Sequence, residues 1–186
     1  MNLYPSIGDL TCIKFLGYDS FGELFLYKQN NSNIIYAVKI RNKSSPEISK
    51  YSKSEIKILK KLNHPNIVKL IKVIDNESLK DILLVMEYCN GGSLLECLEN
   101  FKEKYNIPFT EEIVQFLTKQ IVDALIYIHD NNIIHRNLKS EKIMVHFDNN
   151  YDKENLNMMK ARIKIIDFSL SKQLESKNAL TSTIIN

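Results

Sequence analysis

The chain has 186 residues, enough for one domain with a real core or for two small lobes. With 44% hydrophobic and 25% charged residues it has an ordinary globular composition, and a net charge of +3 is too mild to mark a binder of nucleic acid or of an anionic membrane. No apolar run approaches the ~20 residues of a membrane span and Met1 opens no signal-like segment, so the expected location is cytoplasmic, with the nucleus left open.

Residues 10–17 (Leu-Thr-Cys-Ile-Lys-Phe-Leu-Gly) and 23–28 (Glu-Leu-Phe-Leu-Tyr-Lys) predict two strands around a glycine-containing turn. Residues 34–40 predict a third, nearly all apolar except for Lys39, after a turn at Asn30-Asn31-Ser32-Asn33. Ser45-Pro46-Glu47 is a helix start: a capping hydroxyl, a proline at the first helical position, and an acid at the positive end of the dipole. That helix is expected to run to about Leu62, with Glu55, Leu59 and Leu62 sharing a face. His64-Pro65-Asn66 stops it, and strands near 67–74 and 81–87 follow.

Gly91-Gly92 marks a flexible link, after which the pattern turns helical. Thr110 and Glu111-Glu112 start the clearest helix, whose stripe of Ile113, Phe116, Leu117, Gln120, Ile121, Ala124, Leu125 and Ile128 follows helical periodicity until Asp130-Asn131-Asn132. Short strands near 143–147 and 162–166 bracket a polar insert from Asp148 to Lys160. Cys12, Cys89 and Cys97 form no C-x-x-C pair and are read as small buried hydrophobes; the histidines lack metal-ligand spacing, so no zinc site is expected.

Five motifs then stand in one order. Gly17-Tyr18-Asp19-Ser20-Phe21-Gly22-Glu23-Leu24 resembles the Gly-rich loop G-x-G-x-x-G-x-V, and Ala37-Val38-Lys39 resembles the V-A-I-K strand. A lysine amid an apolar strand is costly without a partner, and Glu55 is the natural one. Leu83 to Cys89 followed by Gly91-Gly92-Ser93-Leu94 resembles a kinase hinge. His135-Arg136-Asn137-Leu138-Lys139 resembles the catalytic loop H-R-D-L-K-x-x-N, and Asp167-Phe168-Ser169 resembles D-F-G. Taken singly, each has a plainer reading: a hairpin turn, a snorkelling lysine, a capping Asp. In this order over about residues 10–170 the chain is identified as a member of the eukaryotic protein kinase superfamily. Lys139 resembles the Ser/Thr type of loop, and the insert with Ile143-Met144-Val145 resembles Unc-51-like (autophagy-initiating) kinases.

The resemblance implies an α+β, protein-kinase-like bilobal fold: an antiparallel five-stranded N-lobe with one major helix (1–88) and a partial, mainly helical C-lobe (89–186). The hinge would fall near 87–92, and the chain would end within the activation segment, where Thr181, Ser182 and Thr183 could carry an activating phosphate. It also implies an ATP site. Leu16, Gly17, Gly22 and Leu24 belong to the loop over the phosphates, and Lys39 with Glu55 orients them. Leu24, Ala37 and Met144 sandwich the adenine, Met86 stands as gatekeeper, and backbone groups of Glu87 and Cys89 pair with its edge. Asp167 would hold magnesium, Lys139 would belong to the catalytic set, and His135 would pack against Phe168 rather than act as a base.

Four positions depart from the pattern. Asp19 replaces the middle glycine, putting a carboxylate where phosphate charge would lie. Asn137 stands at the catalytic Asp and cannot take a proton, a loss worth about 10²–10⁴-fold in rate. Lys142 stands at the loop's metal-binding Asn and could pair with Asp167 in the ion's place; Ser169 restricts a backbone usually freed by glycine. The expectation is a nucleotide-binding pseudokinase: ATP as the ligand, magnesium weak or absent, little or no phosphoryl transfer, and a protein partner or substrate. Part of the Ile113–Ile128 stripe would be exposed and would call for another chain. The alternatives are an active Ser/Thr protein kinase, transferring the ATP γ-phosphate to protein hydroxyls, and a non-functional truncated fragment.

Overall fold

Short, largely apolar runs rich in β-branched and aromatic residues build the first five strands into one antiparallel sheet. In the computed structural model, which describes residues 4–148 and 157–175, these are β1 (Leu10–Tyr18), β2 (Glu23–Gln29), β3 (Ile35–Asn42), β4 (Leu70–Asn76) and β5 (Asp81–Glu87), in the order β1-β2-β3-β5-β4. Thr181, Ser182 and Thr183, and most of the polar insert, lie outside the described residues. Met1–Lys60 with Lys69–Tyr88 form one compact unit; Lys61–Val68 with Cys89–Asn186 form the other.

In the first unit, Leu10, Cys12, Phe25, Tyr27, Val38, Ile40, Leu83 and Val85 make the core on one sheet face, with Tyr4 and Ile7 packed against it. Tyr4 donates its hydroxyl to Asp81 Oδ2 at 2.5 Å, tying the N-terminal segment across the strands. Cross-strand register puts Leu24, Lys39 and Leu84, and likewise Leu26, Ala37 and Met86, on the opposite face. Helix α1 (Pro46–Leu59) packs there. Ser45 caps it by accepting from the Ile48 amide, Pro46 opens it, and its buried side carries Ser52, Glu55, Ile58 and Leu59. It ends three residues short of the expected Leu62, because Lys61–Val68 leaves for the other unit.

That departure also explains why β4 starts at Leu70 rather than near residue 67. Ile67 bridges Ile165, the Val68 amide donates to the Ile165 carbonyl at 3.0 Å, and the Ile165 amide donates back to Asn66 at 2.9 Å. The second unit otherwise consists of α2 (Leu94–Tyr105), α3 (Glu111–Asp130), the pair β6 (Ile133–Ile134) and β9 (Lys172–Gln173), and the hairpin β7 (Ile143–His146) and β8 (Arg162–Ile165). Ser93 and Glu96 form a reciprocal capping box at the start of α2.

The expected exposure of the α3 stripe is not what the structure has. Leu117, Ala124 and Ile128 are buried and the other stripe residues half-buried, because α3 packs against β6, β8 and the 3-10 turn at Met158–Lys160. The apolar residues left open on α3 are a different row: Val114, Val122 and Ile126. The one polar member of the stripe, Gln120, accepts from Asn66 Nδ2 (2.8 Å) and the Ile163 amide (3.0 Å) and donates to the Ala161 carbonyl (3.0 Å). It therefore stitches helix, β8 and the 61–68 segment together with its polar atoms satisfied.

Gly91 is a packing glycine rather than the expected flexible link. Its amide donates to the Val145 carbonyl at 2.9 Å, and a Cβ there would lie 2.8 Å from that same oxygen. Asn90 fixes the neighbouring stretch, its side chain meeting both the amide and the carbonyl of Phe147. Among the described residues no helix is long and apolar enough to cross a membrane.

Candidate functional site

Two charged clusters hold the residues singled out by sequence, one in each unit. In the first, the expected Lys39–Glu55 pair is present, with Nζ 3.1 Å from Oε1. It is half of a larger arrangement. Asp19 Oδ2 lies 2.8 Å from Lys39 Nζ and 2.9 Å from Arg41 Nη2, and Arg41 Nη2 lies 2.7 Å from Glu55 Oε2. Lys39 and Arg41 share a face because they are two apart on β3, and α1 brings Glu55 to that face. Side-chain exposure is 0% for Arg41 and Glu55, 5% for Lys39 and 9% for Asp19, so four charges of balanced sign are withdrawn from water together. Burial pulls the Asp19 carboxyl upward, but Lys39 and Arg41 outweigh it and hold it below its usual value.

The loop carrying Asp19 is pressed onto β3. The Asp19 amide donates to the Gly22 carbonyl at 3.0 Å, and its Oδ1 accepts the Phe21 amide at 2.9 Å. A Cβ on Gly22 would lie 2.1 Å from the Ile40 carbonyl, so only glycine permits this approach. Gly17 sits at a register shift in the β1–β2 ladder. Leu16 is exposed, while Leu24, Ala37 and Met86 share the Lys39 face. The Glu87 amide donates to the Lys69 carbonyl at 3.1 Å and its carboxylate accepts the Lys69 amide at 2.7 Å. Cys89, buried, and Met144, half-buried and bridged to Ser93, belong to the second unit.

In that second unit the β7–β8 hairpin decides the geometry. Its register pairs Ile143 with Ile165, and one step further the Ile166 amide donates to the Lys142 carbonyl at 2.9 Å. Lys142 Nζ thereby reaches Asp167 Oδ2 at 2.5 Å. The other oxygen, Oδ1, accepts the Ser169 hydroxyl at 2.6 Å, so both oxygens of this buried carboxylate are engaged by neighbouring side chains. His135 is buried edge-on to Phe168, ring centroids 4.9 Å apart. Its Nδ1 accepts the Asn137 amide (3.3 Å) and its Nε2 faces the Ile166 carbonyl (2.9 Å), the pattern of one neutral tautomer acting as a strut. Asn137 is half-buried; Lys139 is exposed and pairs with Glu141 at 3.3 Å.

The family model for the protein kinase domain matches residues 10–186. The chain belongs to the protein kinase family. It is 35% identical over 181 residues to calcium-dependent protein kinase 6 of Plasmodium berghei, covering 97% of this chain and 11% of that protein. It is 32% identical over 170 residues to protein kinase 3 of Dictyostelium discoideum (90% and 17%). It is 36% identical over 173 residues to the cell cycle serine/threonine-protein kinase CDC5/MSD2 of Saccharomyces cerevisiae (91% and 22%). This kinase domain is of Ser/Thr type, with the five-stranded sheet and the helices of the bilobal kinase fold.

Kinase domains in general use ATP with magnesium. In this structure Lys39 is bound to two carboxylates, and the Lys142 ammonium stands against Asp167. Arg41 belongs to none of the motifs, and its sequence signal is its two-residue spacing from Lys39 on β3. Ser169 acts here through its hydroxyl, which touches Asp167, as well as through its backbone.

Proposed function

We propose that this kinase domain is a pseudokinase of the Ser/Thr type, with little or no phosphoryl transfer, acting by binding a protein partner or scaffold. The Lys142–Asp167 ion pair carries this reading, since it puts a fixed cation against the carboxylate that would have held magnesium. Asn137 adds to it by removing the charge and basicity of the hydroxyl-orienting acid, and phosphoryl transfer depends on positioning and charge together. Magnesium binding would accordingly be weak or absent. We take residues 1–88 as the N-lobe and 89–186 as the C-lobe, and a cytoplasmic location fits the composition.

The site roles follow the family pattern, position by position. Lys39 and Glu55 would address phosphate beneath the loop of Leu16, Gly17, Gly22 and Leu24; Leu24, Ala37, Met86, Glu87, Cys89 and Met144 would line an adenine site; Lys139 would serve the catalytic loop. The chain spans a tenth to about a fifth of the length of these relatives, so activity, substrate and partner of a whole protein are part of the same proposal. The test is phosphate incorporation into a generic substrate from Mg-ATP. Wild type should show none, and the double reversion Asn137→Asp/Lys142→Asn should gain it. Transfer by wild type that is lost on Lys39→Met establishes instead the active Ser/Thr kinase.

A further inference from the structure

Helix α1 has two opposite sides. The buried one carries Ser52, Glu55, Ile58 and Leu59 and is tied to the sheet where Glu55 meets Lys39 and Arg41. The solvent side carries Lys50, Lys53, Lys57 and Lys60, all exposed. Lys60 caps the helix in right-handed helical geometry (φ −65°, ψ −22°), so it continues the line of the other three. At about 3.6 residues per turn the four lysines fall within an arc of about 80°, opposite the buried side, over a rise of about 15 Å. No acid stands in that arc, and among the described residues none of the four has an ion-pair partner. The other helices differ: α2 mixes exposed Glu99 and Glu103 with Lys102 and Lys104, and on α3 Lys119 pairs with Asp123 at 2.8 Å. A row of one sign opposes helix formation, since like charges three and four residues apart repel. The helix dipole favours cations in the last turn, which accounts for Lys57 and Lys60 and leaves Lys50 and Lys53 uncompensated.

We propose that this lysine row is a docking surface for an acidic segment of a partner protein, whose carboxylates repeat along a line as the lysines do. The inference rests on the partner-binding half of the proposed function and gives that partner its chemistry. The row is preorganised: the buried side already fixes the helix, so docking has only lysine side chains to order. Its composition selects carboxylates over other anions. All four cations are lysines and none is an arginine, whose planar fork suits phosphate and nucleic acid. No large apolar residue is exposed between Pro46 and Lys60, so this face has nothing to insert among lipid chains. Lysines rising by about 4.5 and 6 Å match acids set three and four residues apart on a second helix. Contacts of this kind orient a partner and speed its arrival, and salt screens them steeply.

The test uses the full chain with Lys50→Gln, Lys53→Gln, Lys57→Gln and Lys60→Gln combined. A control of equal net charge combines Lys14→Gln, Lys28→Gln, Lys102→Gln and Lys160→Gln. The probe is an alanine-rich helical peptide with four Glu at the lysine spacing; a second peptide of the same composition has its Glu spread around the helix. Titrations at low salt, followed by amide chemical shifts, should show the spaced peptide bound alike by wild type and the control. The α1 variant should bind it at least about tenfold more weakly, and the spread peptide should bind wild type less tightly than the spaced one. Equal loss in both variants, equal affinity for the two peptides, or no shift at α1 amides overturns the proposal. So does tighter binding of phosphatidylserine vesicles or a single-stranded oligonucleotide through the same lysines, which names a different occupant. A measurement on the free chain guards against variants that fail to fold. Lys53→Glu should raise the melting temperature, because it replaces repulsion of Lys57 by attraction; a lowered one counts against a row held at a cost. Phosphate incorporation from Mg-ATP is measured alongside. Transfer by wild type ends the pseudokinase reading and leaves the docking surface standing, whereas lost peptide selectivity without transfer does the reverse.

Discussion

Arg41 approaches Glu55 more closely, at 2.7 Å, than Lys39 does at 3.1 Å. The acid expected to serve one lysine is shared, and its second partner is the more deeply buried cation. Removing either cation leaves two carboxylates facing a single charge out of reach of water. Arg41→Met should therefore destabilise the chain by about 3–5 kcal/mol, read as a lowered urea midpoint at unchanged slope. A loss under about 1 kcal/mol would mean that the cluster is open to water in solution.

Acid should act on the same cluster. Asp19 titrates below its usual value when folded, so its contribution to stability is present above the unfolded carboxyl value of about 3.9 and is lost as pH falls through the lower folded value. The stability difference between wild type and Asp19→Asn should hold steady from neutral pH down to that region and shrink below it. A difference that grows on acidification would reverse the sign and refute the pairing.

Magnesium offers a direct reading of Lys142. Wild-type melting temperature should not respond to millimolar magnesium, whereas Lys142→Asn, which leaves Asp167 Oδ2 without its ammonium, should be stabilised by the ion through mass action. An equal response in both proteins would show that Lys142 does not hold the ion's place.

Cys97 should be chemically silent. Burial, reinforced by the Glu96 charge, pushes its thiol up to about 11, and the sulfur lies 3.2 Å from the Gly91 carbonyl. Mass spectrometry after iodoacetamide at pH 8 should find Cys97 unmodified in native protein and fully labelled in urea.

Much of this was legible in the sequence, for physical reasons that differ from residue to residue. Lys39 in an apolar strand demanded a counter-charge, and helical spacing supplied Glu55, so that pair could be named before any coordinates. Lys142 and Asp167 could be matched because an ammonium cannot ligate magnesium but can replace it. The Asp19 contacts were not legible: a carboxylate in a turn can face solvent or fold inward, and only the approach of Gly22 to β3 decides which. The two-residue strands β6 and β9 are too short to carry a period of any kind. Helix α2 does carry a sequence signal, the Ser93 and Glu96 capping box, although the adjoining Gly91 and Gly92 suggest a link on their own.

The excursion of Lys61–Val68 has a practical consequence for anyone dividing this chain. The polypeptide passes from one unit to the other at Lys60, at Val68 and again at Tyr88, so neither unit is an uninterrupted stretch. A fragment cut at Tyr88 would carry Ile67 and Val68 without Ile165, and Asn66 without Gln120, displaying apolar residues and unanswered amides to every other copy in solution. Such half-chains should precipitate, and the Lys61–Val68 segment should reach its final form only after Ile165 has left the ribosome.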